Sequence, residues 1–367
     1  MQRRKRLVIL GPAEGLHLFK WIRPFVDSYE VTALTFHNNE VPPDILGKFT
    51  YKKLPRLTGT KFDFLINIFR IAYEFAKIKP DLIHAHYASS YGFIVVLASK
   101  LLPYLKAKKC ITIWGSDFLL TIKRPFGGCF LRFVLGNYNW INSPNEYIKS
   151  KIVELDIQVS VDVFQYGVKV EGFDRSVNEE IESKYKDLQT IKIISNRGWS
   201  PIYNIENVIE GFKMALLKKP NLRLIVSNGG STSESETVHA LCAGTPEIRI
   251  IGWTSREELV RELSQAHIVL SVPLSDGMPL SVLEAVYFGC FPLLSDLPAN
   301  REILENCDGQ IVGFSASEIA EGIIRSVSEV GVFSYLHNQE VIKEKYSYER
   351  NMERLRFVYD RLLFSER

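Results

Sequence analysis

The sequence predicts an α/β protein built from two doubly wound, mostly parallel sheets, and three observations support this fold class. Short apolar runs alternate with helical patterns along almost the whole chain. Most of these runs are continuously apolar, which is typical of parallel strands that are buried on both faces. The alternation restarts after a polar stretch near the middle of the 367 residues, which indicates two domains.

Ten apolar runs are predicted to form strands, with helical patterns between them. The strands are expected at residues 7–10, 31–35, 82–85, 110–114, 140–142, 191–195, 222–228, 247–251, 268–272 and 291–295. The helices are expected at residues 61–78, 90–102, 145–155, 205–219, 255–265, 280–289 and 316–329. Alternation of this kind is typical of Rossmann-like domains, in which the helices cover both faces of a parallel sheet.

The boundary between the domains is expected where Gln165-Tyr166-Gly167-Val168 gives way to a charged, weakly apolar stretch. We therefore predict an N-terminal domain over residues 1–170 and a C-terminal domain over residues 171–345. The tail, residues 346–367, contains the amphipathic segment ERNMERLRFVYDRLL, which predicts a final helix.

Composition excludes several classes of protein. The chain is 46% hydrophobic and 24% charged, as in globular proteins, and it contains no run of about 18 apolar residues that predicts a transmembrane helix. The apolar run 7–10 is too short for the core of a signal peptide. Five cysteines lack paired or metal-type spacing, which favours a reducing compartment and neither a disulfide framework nor a zinc site. We expect a cytoplasmic protein, free or peripheral on the inner face of the membrane.

Charge is distributed unevenly along the chain. Residues 1–170 carry 24 Lys and Arg against 13 Asp and Glu, whereas the remainder carries 21 against 29. A basic N-terminal half suits contact with a membrane surface or a lipid-linked pyrophosphate, although a solvated surface has the same composition. Basic and aromatic residues mix at 100–109 and 123–133, which fits either a membrane surface or an ordinary amphipathic helix. No recognised nucleic-acid motif accompanies the charge, so nucleic acid is not an expected partner.

Residues 271–302 carry the most specific chemical signal. A buried strand leads into the turn Ser275-Asp276-Gly277, and a helix follows that Pro279 is expected to open. The N–H groups at a helix start have no intrahelical acceptor and bind anions. Asp276 and Glu284 add two carboxylates, which accept hydrogen bonds from sugar hydroxyls. These parts together predict a nucleotide-sugar site.

Five segments resemble family-4 glycosyltransferases of the GT-B fold, and their order and spacing are shared over nearly the whole length. They are PDLIHAHYASSYG (80–92), TIWGSDFLL (112–120), FQYGVKVEGFD (164–174), ISNRGWSPIYNIENVIEGF (194–212) and SDGMPLSVLEA (275–285). The resemblance implies two Rossmann-like domains facing across a cleft, with a C-terminal helix that crosses back to the first. It also implies a retaining, metal-independent enzyme without a cofactor, whose substrate is a nucleoside-diphosphate sugar.

The resemblance assigns a donor site to the C-terminal domain. Glu284 matches the acid that binds the nucleotide ribose. Asp276 occupies a position where relatives usually carry Glu that faces the donor sugar, and it is assigned to catalysis. Arg197 matches the arginine that contacts the diphosphate. Relatives often carry a lysine a few residues later, and Asn204 or Tyr203 is the expected substitute here. Backbone N–H groups are expected to come from Gly277, Met278, Leu280 and Ser281.

The N-terminal domain contributes a second set of candidates. Gly11 and Gly15, in the loop after the first strand, would let the backbone approach the donor, although plain turn glycines would look the same. His86, at the end of a predicted strand, and Asp117 are assigned to catalysis, and His84 is assigned to the opposite, structural face. Trp114 stands where many relatives carry His, so it supplies no proton chemistry.

These residues predict a retaining hexosyl- or N-acetylhexosaminyltransferase, with a UDP-sugar favoured over a GDP-sugar as donor. The expected acceptor is a saccharide or a polyprenyl-linked glycan, in the synthesis of cell-surface polysaccharide such as lipopolysaccharide. Two alternatives remain open. One is a nucleotide-sugar epimerase or sugar-phosphate synthase of the same fold, and the other is a catalytically silent partner subunit.

Overall fold

The protein is an α/β molecule with two parallel sheets, as the sequence predicts. The computed structural model describes residues 3–13, 17–59, 62–170, 175–227 and 229–364. The chain divides into an N-terminal unit, residues 1–166 with 349–367, and a C-terminal unit, residues 167–348. The sequence places the corresponding boundaries at 170/171 and 345/346.

The N-terminal unit contains a parallel sheet that has seven strands within its described residues, in the order β3-β2-β1-β4-β5-β6-β7. Residues of the central strands are almost entirely buried, because helices cover both faces of the sheet. The strands are β1 (Arg6–Leu10), β2 (Glu30–Thr35), β3 (Thr50–Lys53), β4 (Leu82–His86), β5 (Lys108–Thr112), β6 (Trp140–Ser143) and β7 (Ser160–Val163).

Helices of the N-terminal unit connect these strands and cover the sheet. They are α1 (His17–Ile22), α2 (Phe62–Ile66), α3 (Ile68–Ile78), α4 (Phe93–Lys100), α5 (Ser116–Ile122), α6 (Gly127–Leu135) and α7 (Glu146–Val153). Short 3-10 helices occupy Arg23–Phe25 and Pro43–Ile45, and a π-helix occupies Ala88–Gly92. The last helix of the chain, α16 (Tyr348–Phe364), packs on this unit, where the Tyr359 ring lies 4.8 Å from the Phe25 ring.

The C-terminal unit contains a parallel sheet that has six strands within its described residues, in the order β10-β9-β8-β11-β12-β13. Its strands are β8 (Ile191–Ser195), β9 (Leu222–Ser227), β10 (Ile248–Gly252), β11 (Ile268–Ser271), β12 (Phe291–Ser295) and β13 (Gln310–Val312). Its helices are α8 (Arg175–Lys184), α9 (Ile205–Leu216), α10 (Thr232–Cys242), α11 (Arg256–Gln265), α12 (Leu280–Tyr287), α13 (Pro298–Leu304), α14 (Ala316–Glu329) and α15 (Tyr335–Tyr346), with a 3-10 helix at Pro201–Tyr203. On the described part of the chain, no helix is both long and apolar enough to span a membrane.

All ten predicted strands are present, but the sequence does not reveal β3, β7 and β13. Each of these three lies at an edge of its sheet. Their residues are half-buried or exposed except for Val312, so they carry no continuous apolar run. The missed helices include α10 and α15, whose apolar residues follow no clear helical face. Continuous apolar runs therefore detect the central strands and the edge strand β10, but overlook the three edge strands that lack such a run.

Helices α9 and α14 pack closely because Gly211, at their contact, has no side chain. A Cβ atom at Gly211 would lie 2.8 Å from the Ala316 carbonyl oxygen and 2.8 Å from Ile319 Cβ. Real Cβ atoms do not approach that closely, so any side chain here forces the helices apart. Since α9 begins directly after the loop 196–204, this packing also positions that loop.

We expect Gly211→Ala to lower the free energy of unfolding by about 1–3 kcal/mol, because the new methyl group overpacks the helix contact. Gly128→Ala is the matched control, since Gly128 is also helical and its nearest neighbour would lie 3.9 Å away. That control should match the wild type or exceed it slightly. Urea denaturation measures both, and equal stability of the two variants would contradict the close packing.

Candidate active site

The strand order of the C-terminal sheet reverses between β8 and β11, and candidate side chains follow both strands. β9 and β10 extend the sheet on the β8 side, and β12 and β13 extend it on the β11 side. In open α/β sheets, ligands bind beyond the carboxyl ends of the strands at such a switch point. Asn196 and Arg197 follow β8, and the loop 272–279 follows β11. The topology therefore brings the predicted donor-site residues together.

Three contacts hold the guanidinium of Arg197 in one orientation. One Nη donates to Ser281 Oγ at 2.8 Å, and the other donates to Asp276 Oδ2 at 2.5 Å. The guanidinium lies 4.6 Å from the centre of the Tyr203 ring, within cation–π range. Asn196 Nδ2 donates to the Ser281 carbonyl at 2.9 Å and ties the two loops together. The arrangement presents a rigid, planar cation, which suits a diphosphate.

One nitrogen of Arg197, the Nε, has no hydrogen-bond partner among the described residues. The side chain is only 10% exposed, and the Nε is buried. A buried polar group without a partner is costly in a folded protein. A bound anion would supply the missing acceptor.

Asp276 contacts Arg197 instead of standing apart from it. Its Oδ2 accepts from the guanidinium, and its Oδ1 accepts the N–H of Gly277 at 2.8 Å. The aspartate therefore closes the turn and positions the arginine at the same time. Its predicted contact with the donor sugar stays a prediction.

Helix α12 starts at Leu280, as the predicted range 280–289 has it, but Pro279 is not its first helical residue. Pro279 has ψ 86° and is the N-cap residue, so Leu280 is the first helical residue. No side chain of the described residues caps this helix start. The first N–H groups of the helix have no intrahelical acceptor and follow directly on Gly277 and the buried Met278. The helix start thus lies beside the Arg197 and Asp276 pair and fits an anion.

Glu284 lies on the second turn of α12 and forms an ion pair with Arg256, the first residue of α11. The glutamate side chain is 18% exposed, and that of the arginine is 44% exposed. A carboxylate has about four acceptor positions, so one guanidinium leaves capacity for a diol. The sequence does not point to Arg256, because the pair joins helices that are distant along the chain.

Asn204 is less available than the sequence suggests. Its Nδ2 donates to the Phe314 carbonyl at 2.9 Å, and its Oδ1 accepts from Asn207 Nδ2 at 2.7 Å. The residue also has φ 57°, in the left-handed region, where it starts α9. These contacts give Asn204 a structural role, and Tyr203, which stacks on Arg197, is the residue of this loop that faces the cation.

The strand order of the N-terminal sheet also reverses, between β1 and β4. Gly11 follows β1 directly, and His86 is the last residue of β4. A Cβ atom at Gly11 would lie 2.9 Å from Leu18 Cδ1 and 3.1 Å from His86 Cβ, so a side chain there would require Leu18 and His86 to shift. Gly15, the second candidate in that loop, lies outside the described residues.

The assignment of His84 and His86 to opposite faces is wrong. Residues two apart in a strand share a face, and the two rings stack with centroids 4.6 Å apart. His84 bonds Tyr359 Oη and Thr112 Oγ1 at 2.5 and 2.8 Å, and burial lowers its pKa to about 3. It joins the sheet to α16, so its structural assignment holds for a different reason.

His86 is completely buried, yet one of its ring nitrogens has no partner on the described part of the chain. Its Nδ1 lies 3.2 Å from Trp114 Nε1, which donates to it, so the ring proton belongs on Nε2. That Nε2 is the unpartnered atom. Burial, and secondarily the His84 ring, lowers the pKa of His86 well below its usual value. His86 is therefore a neutral hydrogen-bond donor at pH 7.

Asp117 is a buried positioning group for two neighbouring loops. Its Oδ1 accepts the N–H groups of Trp114 and Gly115, both at 3.0 Å, and its Oδ2 accepts that of Ala88 at 2.6 Å. Burial raises its pKa, while these backbone hydrogen bonds oppose the shift. The contacts favour positioning of the loop after β5 over proton transfer, so the predicted catalytic role of Asp117 stays untested.

A cavity of about 440 Å³ lies in the N-terminal unit and is mostly aromatic. The rings of Tyr87 and Trp114 stack in parallel, with centroids 5.3 Å apart and 4° between their planes. Tyr87 has φ 68° and ψ 107°, a strained conformation that is typical of functional sites. The described lining residues include no Lys or Arg; they are Pro12, His17, His37, Phe64, Tyr87, Ser90, Tyr91 and Trp114.

His17, at the rim of this cavity, is also neutral at pH 7. Its Nδ1 lies 2.7 Å from Tyr166 Oη, and its ring packs between Trp114 and Tyr166. Desolvation by these rings, with the Lys20 ammonium nearby, lowers the pKa of His17.

On the described part of the chain, no group of three or more His, Cys, Asp or Glu side chains could hold a metal ion.

Two family models match the chain, one in each half. Residues 6–142 match the glycosyl transferase 4-like family, and residues 176–332 match the glycosyl transferases group 1 family. A comparison with curated protein sequences gave no significant match.

Solved structures resemble the chain over almost its whole length. A glycosyltransferase from Rickettsia africae has a TM-score of 0.77 and 14% identity, covering 99% of this chain and 100% of that one. Sucrose-phosphate synthase from Thermosynechococcus elongatus has a TM-score of 0.77 and 12% identity, with coverage of 99% and 100%. The HepE protein of Anabaena, in complex with UDP and glucose, has a TM-score of 0.74 and 10% identity, with coverage of 97% and 99%. At these identities the likeness shows the fold, and the two family matches together with the fold show that the chain belongs to the group 1, family-4-like glycosyltransferases of the GT-B fold.

Proposed function

We propose that the protein transfers a hexose or N-acetylhexosamine from a UDP-sugar to a glycan acceptor, with retention at the anomeric carbon and without a metal ion. The observation that carries this proposal is Arg197, fixed by Asp276 and Ser281 beside the start of α12. A planar cation and a helix start at one switch point match a diphosphate in charge and in hydrogen bonding.

The residues around Arg197 suit the remaining parts of a nucleotide sugar. Glu284, oriented by Arg256, accepts hydrogen bonds from the ribose diol. UDP is favoured as the nucleotide because the similar Anabaena protein is in complex with UDP and glucose. Asp276 reaches the donor sugar only through the oxygen atoms that it also uses to hold Arg197 and Gly277.

The proposed chemistry relies on position and charge. As the bond from the anomeric carbon to the diphosphate breaks, negative charge grows on the leaving UDP, and Arg197 with the α12 N–H groups stabilises it. Retention requires the acceptor hydroxyl to approach from the side that the diphosphate leaves, so that its oxygen bonds the anomeric carbon and its proton passes to the leaving phosphate oxygen. His86 is neutral with its ring proton on Nε2, and its lowered pKa makes it a poor base.

The aromatic cavity is proposed to bind the acceptor glycan. Sugar rings present C–H faces that pack on aromatic side chains, and the Trp114 and Tyr87 pair offers such a surface. Its described lining residues include no Lys or Arg, but the Lys20 ammonium lies near His17 at the rim, so transfer to a sugar phosphate stays the alternative. We propose a saccharide or polyprenyl-linked glycan of a cell-surface polysaccharide as the acceptor.

Thermal unfolding with nucleotides tests the donor site. We expect UDP to raise the melting temperature of the wild type, because a ligand that binds only the native state stabilises it. Glu284→Gln should weaken UDP binding about tenfold, through loss of a charged acceptor. Glu257→Gln, an exposed glutamate on neighbouring α11, is the control and should respond as the wild type does.

The same protein is then incubated with UDP-glucose, UDP-N-acetylglucosamine, GDP-mannose and ADP-glucose. Release of UDP and formation of a product with the donor's anomeric configuration support the proposal. An isomerised nucleotide sugar without an acceptor indicates an epimerase. A protein that binds none of these compounds and releases no nucleotide is a silent partner subunit, and the proposal is then wrong.

Trp114→Ala tests the acceptor site. We expect KM for the best soluble alkyl glycoside acceptor to rise at least about tenfold, because the stacking surface is lost. Trp114→Phe keeps a flat ring and should retain most of the affinity, and the Kd of UDP should be unchanged in both. An unchanged acceptor KM in Trp114→Ala would show that the glycan binds elsewhere.

A further inference from the structure

We propose that one face of the N-terminal unit, formed by α2, α3 and the segments 100–109 and 123–133, binds the surface of an anionic phospholipid bilayer. The partner is a lipid surface, recognised by exposed apolar side chains surrounded by cations. The proposal does not depend on which sugar is transferred, and it adds a surface that the proposed reaction does not use.

An exposed apolar stripe runs along α2 and α3. Its members follow the spacing i, i+3, i+4, i+7 and i+11 of a single helix face. They are Phe62, Leu65, Ile66, Phe69 and Tyr73, with Phe69 74% exposed and Tyr73 63% exposed. Large aromatic and aliphatic side chains in such a stripe are typical of helices that lie in a membrane interface.

The two helices form one continuous stripe because the α-helical hydrogen-bond pattern crosses the junction between them. The N–H of Asn67 bonds the Asp63 carbonyl at 3.2 Å, and the N–H of Ile71 bonds the Asn67 carbonyl at 2.9 Å. Ile71 and Phe75 are fully buried in the sheet core on the opposite side. Because this face of α3 packs on the core, the opposite face, which carries the apolar stripe, is exposed to solvent.

The charges on this face favour an anionic surface. Residues 45–145 contain 15 Lys and Arg but only four Asp and Glu, and the exposed Asp156 outside this range pairs with Arg132 of the segment 123–133. Three of the four acids are buried: Asp63 accepts backbone N–H groups, Glu74 pairs with Lys52, and Asp117 holds its two loops. The fourth, Asp81, is 28% exposed and accepts the N–H of Arg6.

The exposed charges beside the apolar stripe are accordingly cationic. Lys53, Arg56, Arg70, Lys77 and Lys79 are all exposed. Lys and Arg near an anionic leaflet each add to binding in a salt-dependent way. A surface with both components combines the two forces that hold peripheral proteins on membranes.

A second exposed group lies in the same layer of helices. Residues of α3, α4 and α6 share one hydrophobic core on the same side of the N-terminal sheet. Their outer side carries Phe126, 86% exposed, and Tyr104, 63% exposed. Lys100 lies over the ring of exposed Phe133, which again pairs a cation with an aromatic side chain. The patch therefore extends beyond one helix.

The apolar stripe adjoins the aromatic cavity. Phe64 lines the cavity, while its neighbours on α2 belong to the exposed stripe. A protein seated on a bilayer by this face would hold the cavity beside the lipid headgroups. This last step rests on the proposed function, and it favours a lipid-linked glycan over a free one.

Vesicle co-sedimentation of the full chain tests the surface. We expect binding to vesicles of phosphatidylethanolamine with 30 mol% phosphatidylglycerol, little binding to phosphatidylcholine alone, and release at high salt because the ionic part is screened. Phe69→Ser with Tyr73→Ser should weaken binding at least about tenfold, and Arg56→Ser with Arg70→Ser should weaken it similarly. Leu217→Ser is the matched control, since Leu217 is 89% exposed and lies in the C-terminal unit.

Each result decides the proposal. Loss of binding in both double variants with wild-type melting temperature and wild-type UDP affinity supports it, even if no transferase activity is found. No vesicle binding by the wild type, or equal binding by wild type and variants, overturns it. Self-association that Phe69→Ser abolishes, without vesicle binding, shows that a second copy covers the face. Retention of a labelled single-stranded RNA instead of vesicles shows a nucleic-acid surface.

Discussion

The proposed donor site depends on one ion pair, Arg197 with Asp276, at the point where the strand order of the C-terminal sheet reverses. Parallel strands bring the loops after β8 and β11 together, and the pair joins those loops. Both side chains are largely buried, at 10% and 17% exposure. Burying such a pair contributes little net stability, because desolvation of the charges offsets their attraction. A rigid guanidinium whose Nε has no partner among the described residues has more value for binding an anion than for folding.

The N-terminal unit uses buried polar groups differently. His84, bonded to Tyr359 and Thr112, fixes the C-terminal helix to the sheet. The ring of His86 stacks on that of His84, and its Nε2 has no hydrogen-bond partner among the described residues. Such an atom is rare in a folded protein, since most buried polar groups are hydrogen-bonded. Three acids on the helical face are buried in structural contacts, and the charge left at the surface is positive. The same folding contacts thus shape both the cavity and the basic face.

The fold and the donor motif could be predicted from the sequence because both are local patterns. Buried parallel strands produce apolar runs, and the turn before α12 places Asp276 and Glu284 at fixed positions. What the sequence could not supply were contacts between distant segments. Arg256, on α11, forms an ion pair with Glu284, on α12. The side-chain amide of Asn204 donates a hydrogen bond to the Phe314 carbonyl. Three of the four edge strands and the exposed stripe on α3 were also missed, since none of them produces a buried apolar run.

If Asp276 fixes Arg197 for a diphosphate, the Kd of UDP for Asp276→Ala, measured by isothermal titration calorimetry, must reveal it. Removing Asp276 also removes a negative charge from the site, so simple electrostatics favours tighter binding of UDP by the variant. If positioning dominates, UDP should instead bind about tenfold or more weakly, because the guanidinium loses its fixed orientation. Uridine, which has no phosphate, should bind the variant and the wild type equally. UDP binding that is unchanged or tighter in Asp276→Ala would contradict the account.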